Sequence, residues 1–154
     1  MIEENSLDKH TQLTEQDILQ WLESEVNQQQ KIAIMLVDDY WRQFKKFQKE
    51  NRRYKQGRVG VRIRSREKCL SFSIEWFRIS SIQINGQSKS IAEYIRKGPG
   101  FTYPLVRMLN GEPEWEAKLV EGIEVEFAKI RKTVDALGKI RDRIRYYHQF
   151  RDNT

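Results

Sequence analysis

Apolar residues recur at helical spacing from Ile18 to Phe47, through Leu22, Val26, Ile32, Leu36, Tyr40 and Phe44. Trp21, Ala33 and Trp41 widen the stripe, and one face of a helix collects residues at such intervals. Thr14-Glu15-Gln16-Asp17 reads as an N-cap with acids in the first turn, where they favour the helix dipole. Gln28, Gln29 and Gln30 interrupt the apolar character. The region 14–53 is therefore expected to hold one long helix, or two meeting at the glutamines.

The period changes at Gly57. Arg58-Val59-Gly60-Val61-Arg62-Ile63-Arg64 alternates, and so does Cys69-Leu70-Ser71-Phe72-Ser73-Ile74-Glu75-Trp76. Alternation marks half-exposed strands. A hairpin turning at Arg66-Glu67 sets Val59 against Ile74, Val61 against Phe72 and Ile63 against Leu70. Its other face sets Arg58 against Glu75, Arg62 against Ser71 and Arg64 against Cys69. A one-residue slip would mix the faces.

A second hairpin is signalled by Asn85-Gly86, a pair suited to a type I′ turn. Its register sets Arg78 against Glu93 and Phe77 against Tyr94. The apolar phase slips near Arg78, which predicts a bulge there. Ser90–Ile95 reads as strand in preference to a short helix capped by Ser90. Gly98-Pro99-Gly100 marks a turn, and Tyr103–Glu112 reads as irregular.

A second long helix is expected from Pro113, a favourable first helical position, to about residue 150. Its stripe is Trp115, Leu119, Ile123, Phe127, Ile130, Val134, Leu137, Ile144 and Tyr147. From Ile123 to Leu137 the spacing alternates four and three, as in a coiled-coil seam. Gly122 and Gly138 would permit close approach of a neighbour. The two long helices could pair within one chain or between two copies in a homodimer. The expected class is α+β: a long N-terminal helix (14–53), a small antiparallel sheet of three to four strands (58–96), and a long C-terminal helix (113–150).

Composition sharpens this outline. A chain of 154 residues suggests one domain, taken as 13–154. Residues 1–12 are polar, acidic and unpatterned, and read as a disordered tail. The single cysteine, Cys69, cannot close an intramolecular disulfide, which favours a reducing compartment. No apolar run approaches the roughly 18 residues of a membrane span. The protein is expected in the cytoplasm, with no membrane partner.

Charge changes the picture most. Residues 1–41 hold two Lys and nine acids, net −7; residues 42–68 hold twelve Lys or Arg and two Glu, net +10. Residues 129–154 hold eight basic and three acidic residues, net +5. Segregation this strong suggests a polyanionic partner.

Catalysis finds little support in the sequence. His10 and His148 are the only histidines, and neither sits at metal-ligand spacing with Cys or acids. Gly98 and Gly100 lack the Gly-Lys-Ser/Thr of a phosphate loop. Tyr146-Tyr147 resembles the nucleophiles of DNA-nicking enzymes, whose chemistry needs either a metal-holding histidine cluster or an array of Arg, His and Lys around the phosphate; the sequence has no histidine cluster, and the plainer role is a helix face. No enzyme activity, metal or cofactor is expected.

The sharper signal is the basic hairpin. Arg58, Arg62 and Arg64 project from one face, Arg66 and Lys68 lie at the tip, and Arg52, Arg53 and Lys55 lie just upstream. The planar guanidinium fork suits phosphates and guanine edges, and a two-stranded ribbon can enter a major groove. The plainer reading is a solvated sheet face that deters edge aggregation; the upstream cluster tips the balance to nucleic acid. Arg96 and Lys97 after the second hairpin join the candidates. So do Arg141 and Arg145 in a second basic surface, Lys129–Arg145, for which helix-dipole neutralisation is an equal explanation. Of the hairpin's large aromatics, Phe72 and Trp76 point to the core in this register and Phe77 alone is left to stack on bases. That favours double-stranded DNA over RNA.

Ser73-Ile74-Glu75-Trp76, Tyr94-Ile95-Arg96-Lys97-Gly98-Pro99-Gly100, Tyr103-Pro104, Trp115-Glu116 and Phe127-Ala128-Lys129-Ile130-Arg131 together resemble the MobI family of integrative and conjugative elements. The likeness spans about residues 58–147. It implies an accessory factor of conjugative transfer that recognises the origin of transfer and assists a separate relaxase, without chemistry of its own. The competing readings are a helical protein-interaction adaptor and an RNA-binding protein.

Overall fold

Thr14 opens the first helix as a capping box. Its hydroxyl accepts from the Asp17 amide and the Asp17 carboxylate accepts from the Thr14 amide, both at 3.1 Å. These bonds hold the Asp17 carboxyl below its ordinary range. The computed structural model describes residues 13–52, 57–66 and 71–152. Helix α1 runs unbroken over Glu15–Glu50, straight through the three glutamines. Strands β1 (Val59–Arg66), β2 (Ser71–Ile84) and β3 (Gln87–Tyr94) follow, then a single-turn helix α2 (Leu105–Met108) and the long helix α3 (Glu114–Asp152). The α+β architecture expected from the sequence is the one observed, with three strands in the order β1-β2-β3.

The two long helices lie antiparallel within one chain. Glu15 at the start of α1 meets His148 at 3.0 Å and Arg151 at 3.4 Å near the end of α3. At the other end Phe47 stacks on Trp115, with ring centroids 5.9 Å apart. The seam Ile123-Phe127-Ile130-Leu137 is buried in the core shared with α1, so its heptad-like spacing serves an intrachain pair. A Cβ built on Gly122 or Gly138 would meet nothing within 4 Å. The close approach expected at these glycines is absent. Pro113 precedes the first helical residue, and its carbonyl accepts from Ala117 at 3.0 Å.

The sheet is staggered. The first half of β2 pairs with β1 and the second half with β3. Val59, Val61, Phe72, Ile74 and Trp76 face the helices and are buried. Past Arg78 the strand's large apolar residues lie open among the described residues: Ile79, Ile82 and Ile84 are exposed, and β2–β3 stands out as a ribbon.

The second hairpin has the expected register, Arg78 opposite Glu93 and Phe77 opposite Tyr94. Asn85 and Gly86 both have positive φ, 52° and 78°, as a type I′ turn requires. The bulge expected at Arg78 does not form; pairing runs one-to-one across it. The first hairpin differs by four residues from the expected register. Val61 faces Trp76, Ile63 faces Ile74, Arg62 faces Glu75, Arg64 faces Ser73 and Arg66 faces Ser71. A shift by an even number keeps every residue on its predicted face. It brings the large Trp76 ring opposite Val61, where its indole N–H reaches Glu124 at 2.9 Å. The expected turn at Arg66-Glu67 does not form at Arg66, which is paired in β1, and residues 67–70, with Lys68, Cys69 and Leu70, lie outside the described residues.

Helix α1 is fastened to β1 through the strand's outer carbonyls. Tyr40 donates to Val59 O, and Trp41 Nε1 donates to Val61 O at 3.2 Å. Gly60 makes this approach possible: a Cβ there would fall 2.5 Å from Phe77 and 2.8 Å from Trp41. Gly60→Ala is expected to destabilise the protein by about 1–3 kcal/mol, the range of overpacking substitutions. Thermal unfolding would measure it, and an unchanged midpoint would show that Trp41 yields freely.

Candidate nucleic-acid interface

Strand alternation places Arg62, Arg64 and Arg66 on the outer face of β1, away from the helices. All three are exposed. They differ in what they touch. Arg62 reaches Glu75 at 3.3 Å and lies over the Tyr94 ring, 4.0 Å from its centroid. Arg64 and Arg66 face only Ser73 and Ser71 across the ladder and have no acidic partner among the described residues. Theirs are therefore the uncompensated charges of β1.

Arg58, at the foot of β1, turns to Glu112 at 2.8 Å. Arg78 donates to Met108 O at 2.6 Å and lies 3.7 Å from the same carboxylate. Both arginines thus brace the stretch before α3. Arg52 lies exposed in the turn after α1. Arg53 and Lys55 lie outside the described residues. Arg96 is exposed just past β3, and Lys97 is half-buried, its ammonium donating to Gly98 O at 3.2 Å and to Gly100 O.

The fold brings Arg66 and Lys97 to one cleft of about 780 Å³, with Lys139 of α3 on its far wall. Phe101 lines it, and so do Asp135 and Asp142. Lys139 is held by Asp135 at 2.9 Å, so the cleft is only mildly positive.

The second basic surface is split up by the helix pairing. Arg141 turns toward α1 and lies half-buried against Leu22, Glu23 and Val26, while Arg145, one turn on, is exposed. Lys129 pairs with Glu126 at 3.0 Å. Arg131 is buried.

Arg131 belongs to a network that sequence reading missed. Its guanidinium meets both oxygens of Glu124 at 2.9 Å and donates to Phe101 O at 2.8 Å and Ile74 O at 3.1 Å. Glu124 also accepts from Trp76 Nε1 at 2.9 Å and from the Tyr103 amide at 2.8 Å. Side-chain exposure is 10% for Arg131 and 1% for Glu124. The only available signal was their spacing of seven, which places both on one face of α3. A second buried acid, Glu116, sits beside Glu112 and under Gly57. Burial and the Glu112 carboxylate push its own carboxyl up to about 8, against the pull of the Arg58 and Val59 backbone.

Aromatic rings also reach the outer face. Trp41, Phe77 and Tyr94 form a chain with centroids 6.3 Å and 5.8 Å apart, and Tyr94 is 48% exposed. Beyond the basic hairpin, Tyr94 on β3 adds a ring on this face. Among the described residues no group of three or more His, Cys, Asp or Glu could hold a metal ion, and no helix is long and apolar enough to cross a membrane.

These features define an α+β protein in which two antiparallel helices back a three-stranded sheet, with arginines on the sheet's free face. The family model for the MobI protein matches residues 30–145, and the chain belongs to that family, which places it among conjugative mobilisation accessory proteins. No curated protein and no solved structure matches it. Trp76, Tyr103 and Arg131, three of the residues that carry the resemblance, converge on Glu124. Part of the likeness therefore rests on scaffold.

Proposed function

We propose that this protein binds double-stranded DNA at the origin of transfer through the outer face of β1 and assists a separate relaxase there. The supporting observation is the row Arg62-Arg64-Arg66, with Arg64 and Arg66 uncompensated. A row of guanidinium groups about 7 Å apart along a strand can neutralise successive phosphates or reach base edges. Lys97 shares a cleft with Arg66 at the end of the row, Arg96 follows β3, and Arg52, past the end of α1, is a candidate for outlying backbone contact. Arg58 acts at the margin, since Glu112 holds it. Arg145 is a candidate for outlying backbone contact. Arg141 would have to leave α1 to take part, and Arg53, Lys55 and Lys68 remain candidates by charge alone. The relaxase contact is carried by family membership and has no assigned surface.

The test compares an origin fragment with random duplex at one physiological salt concentration. Tighter binding to the origin is expected; equal affinity would remove the specificity claim. Arg64→Ala/Arg66→Ala is expected to weaken duplex binding and to lower the salt slope by about one for each phosphate left without its arginine. Unchanged binding would remove the assigned surface. One observation favours a second reading: Tyr94, half-exposed under Arg62, can stack an unpaired base. Preference for single strands over duplex, lost in Tyr94→Ala, would favour it.

A further inference from the structure

The two edges of the sheet are treated differently. The ladder fixes which backbone groups each edge presents. Ile79 N–H bonds Arg58 O at 2.7 Å, so Arg58, Gly60 and Arg62 turn their backbone groups to β2 and Val59 and Val61 turn theirs outward. Those outward carbonyls are taken by Tyr40 and Trp41. On the other edge Ile95 N–H bonds Trp76 O at 3.0 Å. By the same alternation Lys89, Ile91 and Glu93 turn to β2, while Ser88, Ser90, Ala92 and Tyr94 turn outward. No described strand lies beyond β3. All its residues except the half-buried Ile91 are exposed. It carries no proline and no bulge, and its only charged residues are Lys89 and Glu93, the side chains that could guard it against a foreign strand.

We propose that this edge pairs antiparallel with the same edge of a second copy of the chain, Ile91 facing its counterpart across a two-fold axis. Three features select that partner and that register. The outward groups must bond one another, which admits only registers that match Ser88, Ser90, Ala92 and Tyr94 among themselves. Placing Ile91 on the axis matches Ser90 with Ala92 and Ser88 with Tyr94, and so uses all four. The same placement sets Lys89 of each copy opposite Glu93 of the other, twice over. Those two sites are non-hydrogen-bonded pairs, where facing side chains come closest. Moving the axis to Ser90 or Ala92 would set Lys89 opposite Ile91 or Ile95 and lose both charge pairs. Lys89 and Glu93 have no ion-pair partner within the described chain, since Arg78, across the ladder from Glu93, is held by Glu112 and Met108 O.

The result is one continuous six-stranded sheet. Its two-fold passes through the sheet, so both outer faces lie on the same side and the two Arg62–Arg66 rows are related by symmetry. For the DNA reading, that arrangement suits an inverted repeat. The self-pairing does not depend on that reading.

Sedimentation equilibrium of the full chain without nucleic acid, from low micromolar to a few hundred micromolar, tests the pairing. A dimer is expected. Lys89→Glu and Glu93→Lys should each weaken it about tenfold, by replacing both opposite-charge pairs with like charges. Lys89→Glu/Glu93→Lys in one chain should restore it. Ala92→Pro removes an outward N–H without touching the β2 ladder and should leave a folded monomer whose urea midpoint equals that of the wild-type chain at concentrations too low for pairing. A monomer at every concentration, charge reversals that the double variant does not rescue, or a dimer indifferent to Ala92→Pro would each overturn the proposal. Arg64→Ala/Arg66→Ala should leave the mass unchanged, so failure of the DNA reading shows separately.

Discussion

Glu124→Ala is expected to destabilise the protein by about 3–5 kcal/mol, the cost of removing one partner of a buried ion pair. The substitution strands the Arg131 guanidinium among core groups and also orphans the Trp76 indole N–H and the Tyr103 amide. Each of those donors was desolvated to meet Glu124, and nothing replaces the missing acceptor. The loss falls where β2, α3 and the loop at 101–103 meet, so it should lower the whole unfolding transition rather than fray one end. Urea unfolding followed by circular dichroism would measure it. Lys129→Ala, on the same helix but in an exposed pair with Glu126, is the control and should stay within about 0.5 kcal/mol. Equal effects of the two variants would show that the network contributes nothing special.

Glu116→Gln is expected to remove most of the pH dependence of stability between weakly acid and weakly basic solution. The Glu116 carboxyl is pushed up to about 8 in the folded chain, first by burial and then by Glu112. Unfolded, it returns to its ordinary value of 4.5. Between those values the folded state binds more protons than the unfolded one, so stability falls as pH rises through the window. The glutamine mimics the protonated acid and carries no charge to desolvate. The wild-type chain should lose on the order of 2 kcal/mol across the window after screening, and Glu116→Gln should be nearly flat. The two proteins should match at the acid end and the variant should be the more stable at the basic end. Parallel curves would assign the dependence to another group. Tyr40, pushed upward by burial and by both acids, stays neutral throughout and cannot supply it.

The elements were largely legible because they rest on local rules. Helical spacing and the Thr14 cap marked α1, and Asn85-Gly86 set the second hairpin in its observed register. The first hairpin was legible only as to its faces. Alternation distinguishes odd shifts from even ones, and all even shifts satisfy it equally. The choice among them fell to Trp76, whose bulk needs the middle of the sheet and whose N–H needs Glu124. The candidate site was legible to a similar degree. Charge segregation located the basic hairpin, and alternation placed its arginines outward. Which arginines remain uncompensated was not readable. Glu112 lies 54 residues from Arg58, and no short-range pattern connects them.

The basic hairpin is thus the meeting point of two kinds of information. The sequence by itself determined that two strands here would present apolar residues to one side and arginines to the other, because side-chain direction alternates with a period of two. It also determined the two long helices that back the sheet. Only the tertiary structure decided which charges are spent inside the molecule. Arg58 is drawn into an ion pair by the distant Glu112 and Arg131 by Glu124 two turns away on its own helix, Arg62 is shared with Glu75 and Tyr94, and Arg64 and Arg66 are left exposed with no acidic partner among the described residues. The physical reason is that a charge is neutralised by whatever the fold brings within a few ångströms, and that neighbourhood is set by packing rather than by position in the chain.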